Sequence, residues 1–376
     1  MKILYTIAGF YRAAGMERIL ADKANYLAAK GYSIVIVTTD QRGREEAFPL
    51  DHTIRRVDLR INYEDHNGDS FVQKLLAFPF KKRRHRRRLN KLLEEERPDI
   101  TVSMFCGDEG FLPGLKDGSK KVLEVHFSRY KRLQYGRRGL WAIADRYRSW
   151  QDGRVVRRFR RFVTLTQEDM SYWGSPENGC VIPNFIDNLP AEPALLNSRT
   201  VLAVGRFSYQ KGFERLLEAW ARVLQLLPFR HGWKLRLVGD GEDRRRLQRL
   251  ADDLGITPFV NFDWPTDRMG QVYREASLLA LSSRYEGLPM VLLEAQSYGI
   301  PAVSFDCKCG PRDVISDGED GLLVPEGDVQ ALAEALYKLI MNNTLRHAMG
   351  RRARINAARW DRETTMQKWI KLFESI

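Results

Sequence analysis

Two short segments carry side chains whose types and spacing suit one kind of chemistry. The first is Gly205-Arg206-Phe207-Ser208-Tyr209-Gln210-Lys211-Gly212 and the second is Ser283-Arg284-Tyr285-Glu286-Gly287-Leu288-Pro289-Met290, with Glu294 beyond it. Arg206 can fork two phosphate oxygens and Lys211 adds a compact positive charge. Gly287 lets a ligand approach the backbone, and a helix opening there would offer the N–H groups of Leu288 and Met290 as unpaired donors. Pro289 has no N–H and costs such a helix start nothing. Glu286 at the mouth and Glu294 about two turns along are acceptors for sugar or ribose hydroxyls. Cations are common in solvated loops and a carboxylate on a helix is commonplace, so neither segment is diagnostic alone. Together they describe a site for a ligand that is anionic at one end and rich in hydroxyls at the other.

Such a site needs elements that bring the two segments together. The chain opens with a short apolar strand, a loop from Gly9 to Gly15, a helical pattern from Met16 to Lys30, a stop at Gly31 and a β-rich run from Ser33 to Thr39. Further strands are expected at Ile100 to Phe105, Lys121 to Val125 and Phe162 to Thr166. A stretch without periodicity follows Ile182-Pro183-Asn184 and is punctuated by Pro190, Pro193 and Asn197-Ser198, as linkers are. Alternation then resumes, with strands at Thr200 to Val204, Lys234 to Val238, Val260 to Phe262, Leu278 to Ser282, Pro301 to Phe305 and Gly321 to Val324. This is the pattern of two α/β domains with doubly wound sheets. Ligands of such sheets bind beyond the carboxyl ends of the strands, which is where both segments fall.

With those elements in place, the chain resembles the family 4 retaining glycosyltransferases over nearly its whole length. The resemblance rests on Gly205-Arg206…Lys211-Gly212, on Glu286-Gly287-Leu288-Pro289 with Glu294, on Gly299-Ile300-Pro301 and on Asp317-Gly318…Gly321-Leu322-Leu323-Val324. It implies the GT-B fold, two facing Rossmann-like domains with a cleft between them. Residues 1–188 would form an acceptor domain, joined by a last helix over about 361–376, and 189–360 a nucleotide-sugar domain. The resemblance further implies that Arg206 and Lys211 hold the diphosphate, that Glu286 binds the transferred sugar, that Glu294 binds the ribose, and that no metal or other cofactor is needed. His126, in Glu124-Val125-His126, reads as an ordinary buried histidine on its own, and the resemblance assigns it to the donor sugar. Where many relatives have paired glycines in the first loop, this chain has Ala14-Gly15, so Gly15 and the helix after it would serve the ligand. Gly310-Pro311-Arg312 with Cys307 resembles the segment of relatives that build bacterial surface glycans.

Charge separates the two halves. Residues 1–190 hold 35 Lys and Arg against 24 Asp and Glu, and 191–376 hold 26 against 24, so nearly all of the net +13 lies in the first half. The run Lys81, Lys82, Arg83, Arg84, His85, Arg86, Arg87, Arg88 dominates it. A second basic stretch from Arg129 to Arg161 carries Tyr130, Tyr135, Trp141, Tyr147 and Trp150. Interleaved cations and apolar groups suit an anionic lipid surface, each cation near it contributing about 1 kcal/mol. A lipid-linked acceptor would explain both stretches. No nucleic-acid recognition motif accompanies the charge. Four scattered cysteines, with no apolar run of the roughly 18 residues a span requires, suit a cytoplasmic protein peripheral on the inner face of the cell membrane.

The expected activity is transfer of a hexose or N-acetylhexosamine from a nucleotide-diphosphate sugar, with UDP as the default carrier, to a hydroxyl of a glycan acceptor in polysaccharide or lipopolysaccharide assembly. Retention of anomeric configuration comes from the resemblance alone. The alternatives are a nucleotide-sugar epimerase on the same frame and a basic nucleic-acid-binding protein.

Overall fold

The computed structural model describes residues 1–66, 71–131, 133, 139–187, 189–228 and 232–376. It contains two compact units. The first comprises Met1–Arg129, Arg137–Ile182 and Thr365–Ile376, and the second Tyr130–Gly136 and Pro183–Thr364. The division falls between Ile182 and Pro183, just before the aperiodic stretch. Asn188, on which the expected boundary lies, is outside the described residues.

In the first unit the strands are β1 (Lys2–Ile7), β2 (Ser33–Thr38), β3 (Arg55–Asp58), β4 (Ile100–Ser103), β5 (Lys120–Glu124), β6 (Arg161–Thr164) and β7 (Gly179–Val181). Its helices are α1 (Gly15–Ala29), α2 (Phe71–Glu96), α3 (Leu140–Val155) and α4 (Gln167–Tyr172). All seven strands are parallel, in the order β3-β2-β1-β4-β5-β6-β7. The central strands read as near-continuous apolar runs because helices cover both faces of such a sheet. Ile3, Leu4, Tyr5 and Ile7 of β1 and Ile34 to Val37 of β2 are buried.

The second unit carries β8 (Thr200–Val204), β9 (Lys234–Val238), β10 (Val260–Asp263), β11 (Leu278–Leu281), β12 (Ala302–Asp306) and β13 (Gly321–Pro325). Between and after them run α5 (Phe213–Leu226), α6 (Arg244–Asp253), α7 (Met269–Arg274), α8 (Met290–Ser297), α9 (Pro311–Val314), α10 (Val329–Met341) and α11 (Asn343–Asn356). The last helix, α12 (Arg362–Glu374), falls for the most part in the first unit. The sheet is again all parallel, in the order β10-β9-β8-β11-β12-β13. Helix α5 shows how it is held. Phe213, Leu216, Leu217, Trp220 and Val223 recur at helical spacing and are all buried in the main core, each side chain contributing about 1.5–3 kcal/mol.

Strand order reverses between β1 and β4 in the first sheet and between β8 and β11 in the second. The loops beyond the carboxyl ends of those strands flank the crevice where a doubly wound sheet takes its ligand.

Candidate active site

The segment 205–212 follows β8 and the segment 283–290 follows β11, so the second unit places both predicted segments at its switch point. Hydrogen bonds to backbone carbonyls tie them together. Arg284 donates its N–H to the Gln210 carbonyl at 2.8 Å, the Gln210 amide donates to the Tyr285 carbonyl at 3.0 Å, and the Ser282 hydroxyl donates to the Lys211 carbonyl at 2.9 Å. The Arg284 guanidinium reaches the Tyr209 carbonyl and the Glu214 carboxylate. Between the segments sits Gly212, with φ +60° and the Ser282 carbonyl oxygen 2.4 Å from where a Cβ would stand. Only glycine fits there without displacing one loop.

This stitching brings Lys211 and Glu286 into contact. Lys211 Nζ donates to Glu286 Oε1 at 2.7 Å and the Ser283 hydroxyl donates to the same oxygen at 2.6 Å. Both charged side chains are largely buried, at 17% and 7% exposure. Both of these bonds fall on Oε1, and Glu286 Oε2 has no hydrogen-bond partner among the described residues. The other predicted groups are held elsewhere. Arg206 is exposed and pairs with Glu242, Nη2 to Oε2 at 3.0 Å. Glu294 stands in the second turn of α8 and accepts from the Tyr273 hydroxyl, whose ring stacks on Tyr298 at 5.3 Å. Helix α8 opens at Met290, so Pro289 occupies the capping position rather than the first helical one, because its ψ of 108° is extended. Leu288 and Pro289 pack inward, against the segment that carries Gly310.

Several residues of this site escaped the sequence reading. Gly239-Asp240-Gly241-Glu242 follows β9 and lies against the first segment: the Phe207 N–H donates to the Asp240 carbonyl at 2.9 Å, and a Cβ on Gly239 would fall 2.0 Å from the Gly205 carbonyl oxygen. Two glycines just after a strand were the available signal. Ser283, three residues before Glu286, and Tyr273 carried no such mark.

In the first unit, Gly15 is the first residue of α1 and Ala14 its cap, with no capping side chain. Glu17 in that first turn is buried, and burial raises its pKa. His126 lies two residues beyond β5, its side chain 5% exposed, with Nε2 at 2.8 Å from Glu124 Oε1. The other oxygen of Glu124 accepts from Lys23, which is wholly buried. At the switch point of this sheet Asp108 accepts from Thr6 and from Ser103, both at 2.5 Å. Glu109 beside it has a pKa of about 7, raised by burial and then by Asp108.

The basic run Lys81 to Arg88 lies on α2, and helical geometry divides it. His85 is fully buried, its ring edge-on to Phe111 at 5.1 Å. Lys81 donates to the Asn62 carbonyl and Arg88 to that of Leu59, so these two cations are engaged by their own unit. Lys82, Arg83, Arg84, Arg86 and Arg87 are exposed, next to Phe80 at 70%. On α3 Ile143, Tyr147 and Trp150 are exposed at helical spacing, Tyr147 stacks on Trp150 at 5.9 Å, and Arg154 lies over the Trp150 ring. Tyr135 lies outside the described residues. Among the described residues no helix is long and apolar enough to cross a membrane.

Residues 13–188 match the family described as Glycosyltransferase Family 4, and residues 186–356 that described as Glycosyl transferases group 1. The amylovoran biosynthesis glycosyltransferase AmsD of Erwinia amylovora is 36% identical over 56% of this chain and 60% of its own length. An α-1,4-N-acetyl-D-galactosaminyltransferase of Campylobacter jejuni, whose name specifies a diNAcBac-PP-undecaprenol-linked acceptor, is 26% identical over 100% of this chain and 99% of its own. Among solved structures, a variant of S. aureus TarM in complex with fondaparinux, alpha-GlcNAc-glycerol and UDP superposes with a TM-score of 0.77, at 15% identity, over 99% of both chains. That likeness shows the GT-B fold.

Proposed function

The chain belongs to the family 4 glycosyltransferases, and from that premise we propose that it moves a hexose or N-acetylhexosamine from a nucleotide-diphosphate sugar, with UDP as carrier, to a hydroxyl of a lipid-linked glycan, with retention at the anomeric carbon, in assembly of a bacterial surface polysaccharide or lipopolysaccharide. The observation that carries this reading is the Lys211–Glu286 contact at the switch point of β8 and β11. A buried ammonium offers the charge a departing diphosphate needs, and a carboxylate with one oxygen unspent offers an acceptor for a sugar hydroxyl beside it.

Arg206 would leave Glu242 for the diphosphate, being exposed and held only by a surface pair, which costs little to break. Glu294 would take the ribose hydroxyls, with Tyr273 holding its carboxylate in place. His126 would contact the donor sugar. The cations and loop dipoles would meet the leaving-group charge without a metal. The exposed face of α2 and the aromatic stripe of α3 would rest on anionic lipid at the cytoplasmic side of the membrane. The undecaprenol-linked acceptor in the Campylobacter relative's name and the UDP in the TarM complex support the lipid linkage and the carrier.

The test is a panel of nucleotide sugars, first for thermal stabilisation and then for transfer to extracted lipid-linked glycans with a chelator present. Stabilisation by one donor, and a product with the donor's anomeric configuration, is the expected result. Conversion of the donor to a second nucleotide sugar without acceptor would instead establish an epimerase. Loss of transfer on chelation would overturn the metal-free reading.

A further inference from the structure

His126 is held by a chain of buried groups that the assignment of donor contacts does not use. Glu124, the last residue of β5, divides its carboxylate: Oε1 faces His126 Nε2 at 2.8 Å and Oε2 accepts from Lys23 of α1. Lys23 and Glu124 are 0% and 1% exposed. The Lys23 ammonium is enclosed by aromatic faces, with the Trp369 ring of α12 at 3.9 Å and the Tyr5 ring of β1 at 5.2 Å. Burial alone would raise the Glu124 pKa, but Lys23 and His126 outweigh it and hold the value at about 2. Glu124 is therefore an anion at any working pH and only accepts hydrogen bonds.

An obligate acceptor opposite Nε2 decides where the imidazole carries its proton. Nε2 must be the donor, so in the neutral ring Nδ1 bears the lone pair. Nδ1 makes no hydrogen bond to any described residue. We propose that Glu124 and Lys23 are positioning residues for His126, fixing it as the Nε2–H tautomer so that Nδ1 accepts a hydrogen bond from a hydroxyl of the bound sugar. Lys23 acts at one remove. Its charge lets Glu124 stay ionised in a buried setting; burial lowers the Lys23 pKa and Glu124 opposes that, with the rings of Tyr5 and Trp369 facing the ammonium. The C-terminal helix thereby contributes to the setting of His126 without touching it. This inference rests on the reading of His126 as a sugar-contacting residue.

The test uses the full chain, with no ligand needed for its first part. Nitrogen-15 spectra of the imidazoles, with the His126 signals identified by their loss in His126→Gln, are expected to show a single Nε2–H tautomer above pH 7. Lys23→Met combined with Glu124→Leu removes both charges at similar volume, so that neither is left buried alone. It should give mixed tautomers and slow the turnover of transfer by about 10-fold or more at little changed donor KM, since a wrong tautomer disables a catalytic histidine in a fully formed site. Glu124→Gln leaves one acceptor oxygen for two partners; Lys23, which can only donate, claims it, so the amide NH2 faces Nε2 and the ring is expected to switch to the Nδ1–H tautomer with a fall in turnover. This variant also serves if the double variant does not fold, because there an Nδ1–H ring with unchanged turnover refutes the proposal. An Nδ1–H ring in the wild type, or a folded double variant with unaltered tautomer or unaltered turnover, overturns it as well. If His126→Gln itself leaves transfer unchanged, the sugar-contact reading has failed, while the tautomer result still reports on Glu124.

Discussion

Lys211 Nζ meets Glu286 Oε1 at 2.7 Å although the two residues are 75 positions apart, because each follows a strand that borders the switch point of the second sheet. Glu286 compensates the Lys211 charge; on the proposed function a diphosphate would take over that role when it binds, freeing the carboxylate to face the sugar.

This exchange separates two substitutions. Lys211→Met removes the cation proposed to meet the diphosphate, so stabilisation by a nucleoside diphosphate should largely vanish and transfer should fall about 10²–10³-fold. Glu286→Gln keeps the hydrogen-bonding shape without the charge, so nucleoside diphosphate should still raise the melting temperature while transfer falls. Thermal shift with the nucleotide alone, beside initial rates with the donor sugar, measures the two effects. Equal loss of nucleotide binding in both variants would show that the pair does not divide its roles in this way.

The loop geometry makes a stability prediction. Gly212→Ala must accept both φ +60° and a Cβ 2.4 Å from the Ser282 carbonyl oxygen, whereas Gly31→Ala meets φ +87° with nothing within 4 Å. The second change should cost about 1–2 kcal/mol from backbone conformation alone. The first should cost more than that and weaken donor binding too, since the displaced loop carries Lys211. Urea unfolding midpoints of the two variants decide it, and equal losses would mean that the close approach at Ser282 is relieved without consequence.

How much of this was legible depends on what each element asks of its residues. Strands β8 and β9 were readable to their ends, since Val-Leu-Ala-Val and Leu-Arg-Leu-Val stop at glycines that open the loops beyond them. Strand β3, Arg55-Arg56-Val57-Asp58, gave no apolar run because it pairs on one side only and buries little; β7 is three residues long and begins with glycine. Arg206, Lys211 and the two carboxylates were visible as types, but their partners were not. Glu242 and Tyr273 come from other strand-loop units, and only the folded sheet brings them near. The run Lys81 to Arg88 looked uniform as a string, and the helix alone reveals that Lys81, His85 and Arg88 face inward.

That division yields a test of the proposed lipid contact. Reversing Arg83, Arg84, Arg86 and Arg87 to Glu should abolish binding to vesicles with anionic lipid at physiological salt, given about 1 kcal/mol for each cation near the surface, and leave the melting temperature nearly unchanged. Arg88→Ala should do the reverse, because that guanidinium donates to the Leu59 and Arg60 carbonyls. Vesicle co-sedimentation beside thermal unfolding separates the two. Undiminished sedimentation of the fourfold variant would remove α2 from the membrane-facing surface.

Two carboxyls of the first unit predict opposite responses to pH. Glu124, at about 2, lies below its unfolded value, so its contribution is present at neutral pH and is lost as pH falls from about 4.5 toward 2. Glu109, at about 7, lies above its unfolded value. The folded state binds the extra proton between about 4.5 and 7, so the associated stability is present below that window and is lost as pH rises through it. Glu109→Gln mimics the protonated form and cannot titrate. Between pH 5 and pH 8 the wild type should therefore lose about 1–3 kcal/mol relative to this variant, an order-of-magnitude figure for a shift of this size. Urea titrations of both proteins at the two pH values measure the difference. A difference of the opposite sign would mean that Glu109 is ionised in the folded protein throughout, with the Lys82 ammonium outweighing both burial and the neighbouring Asp108.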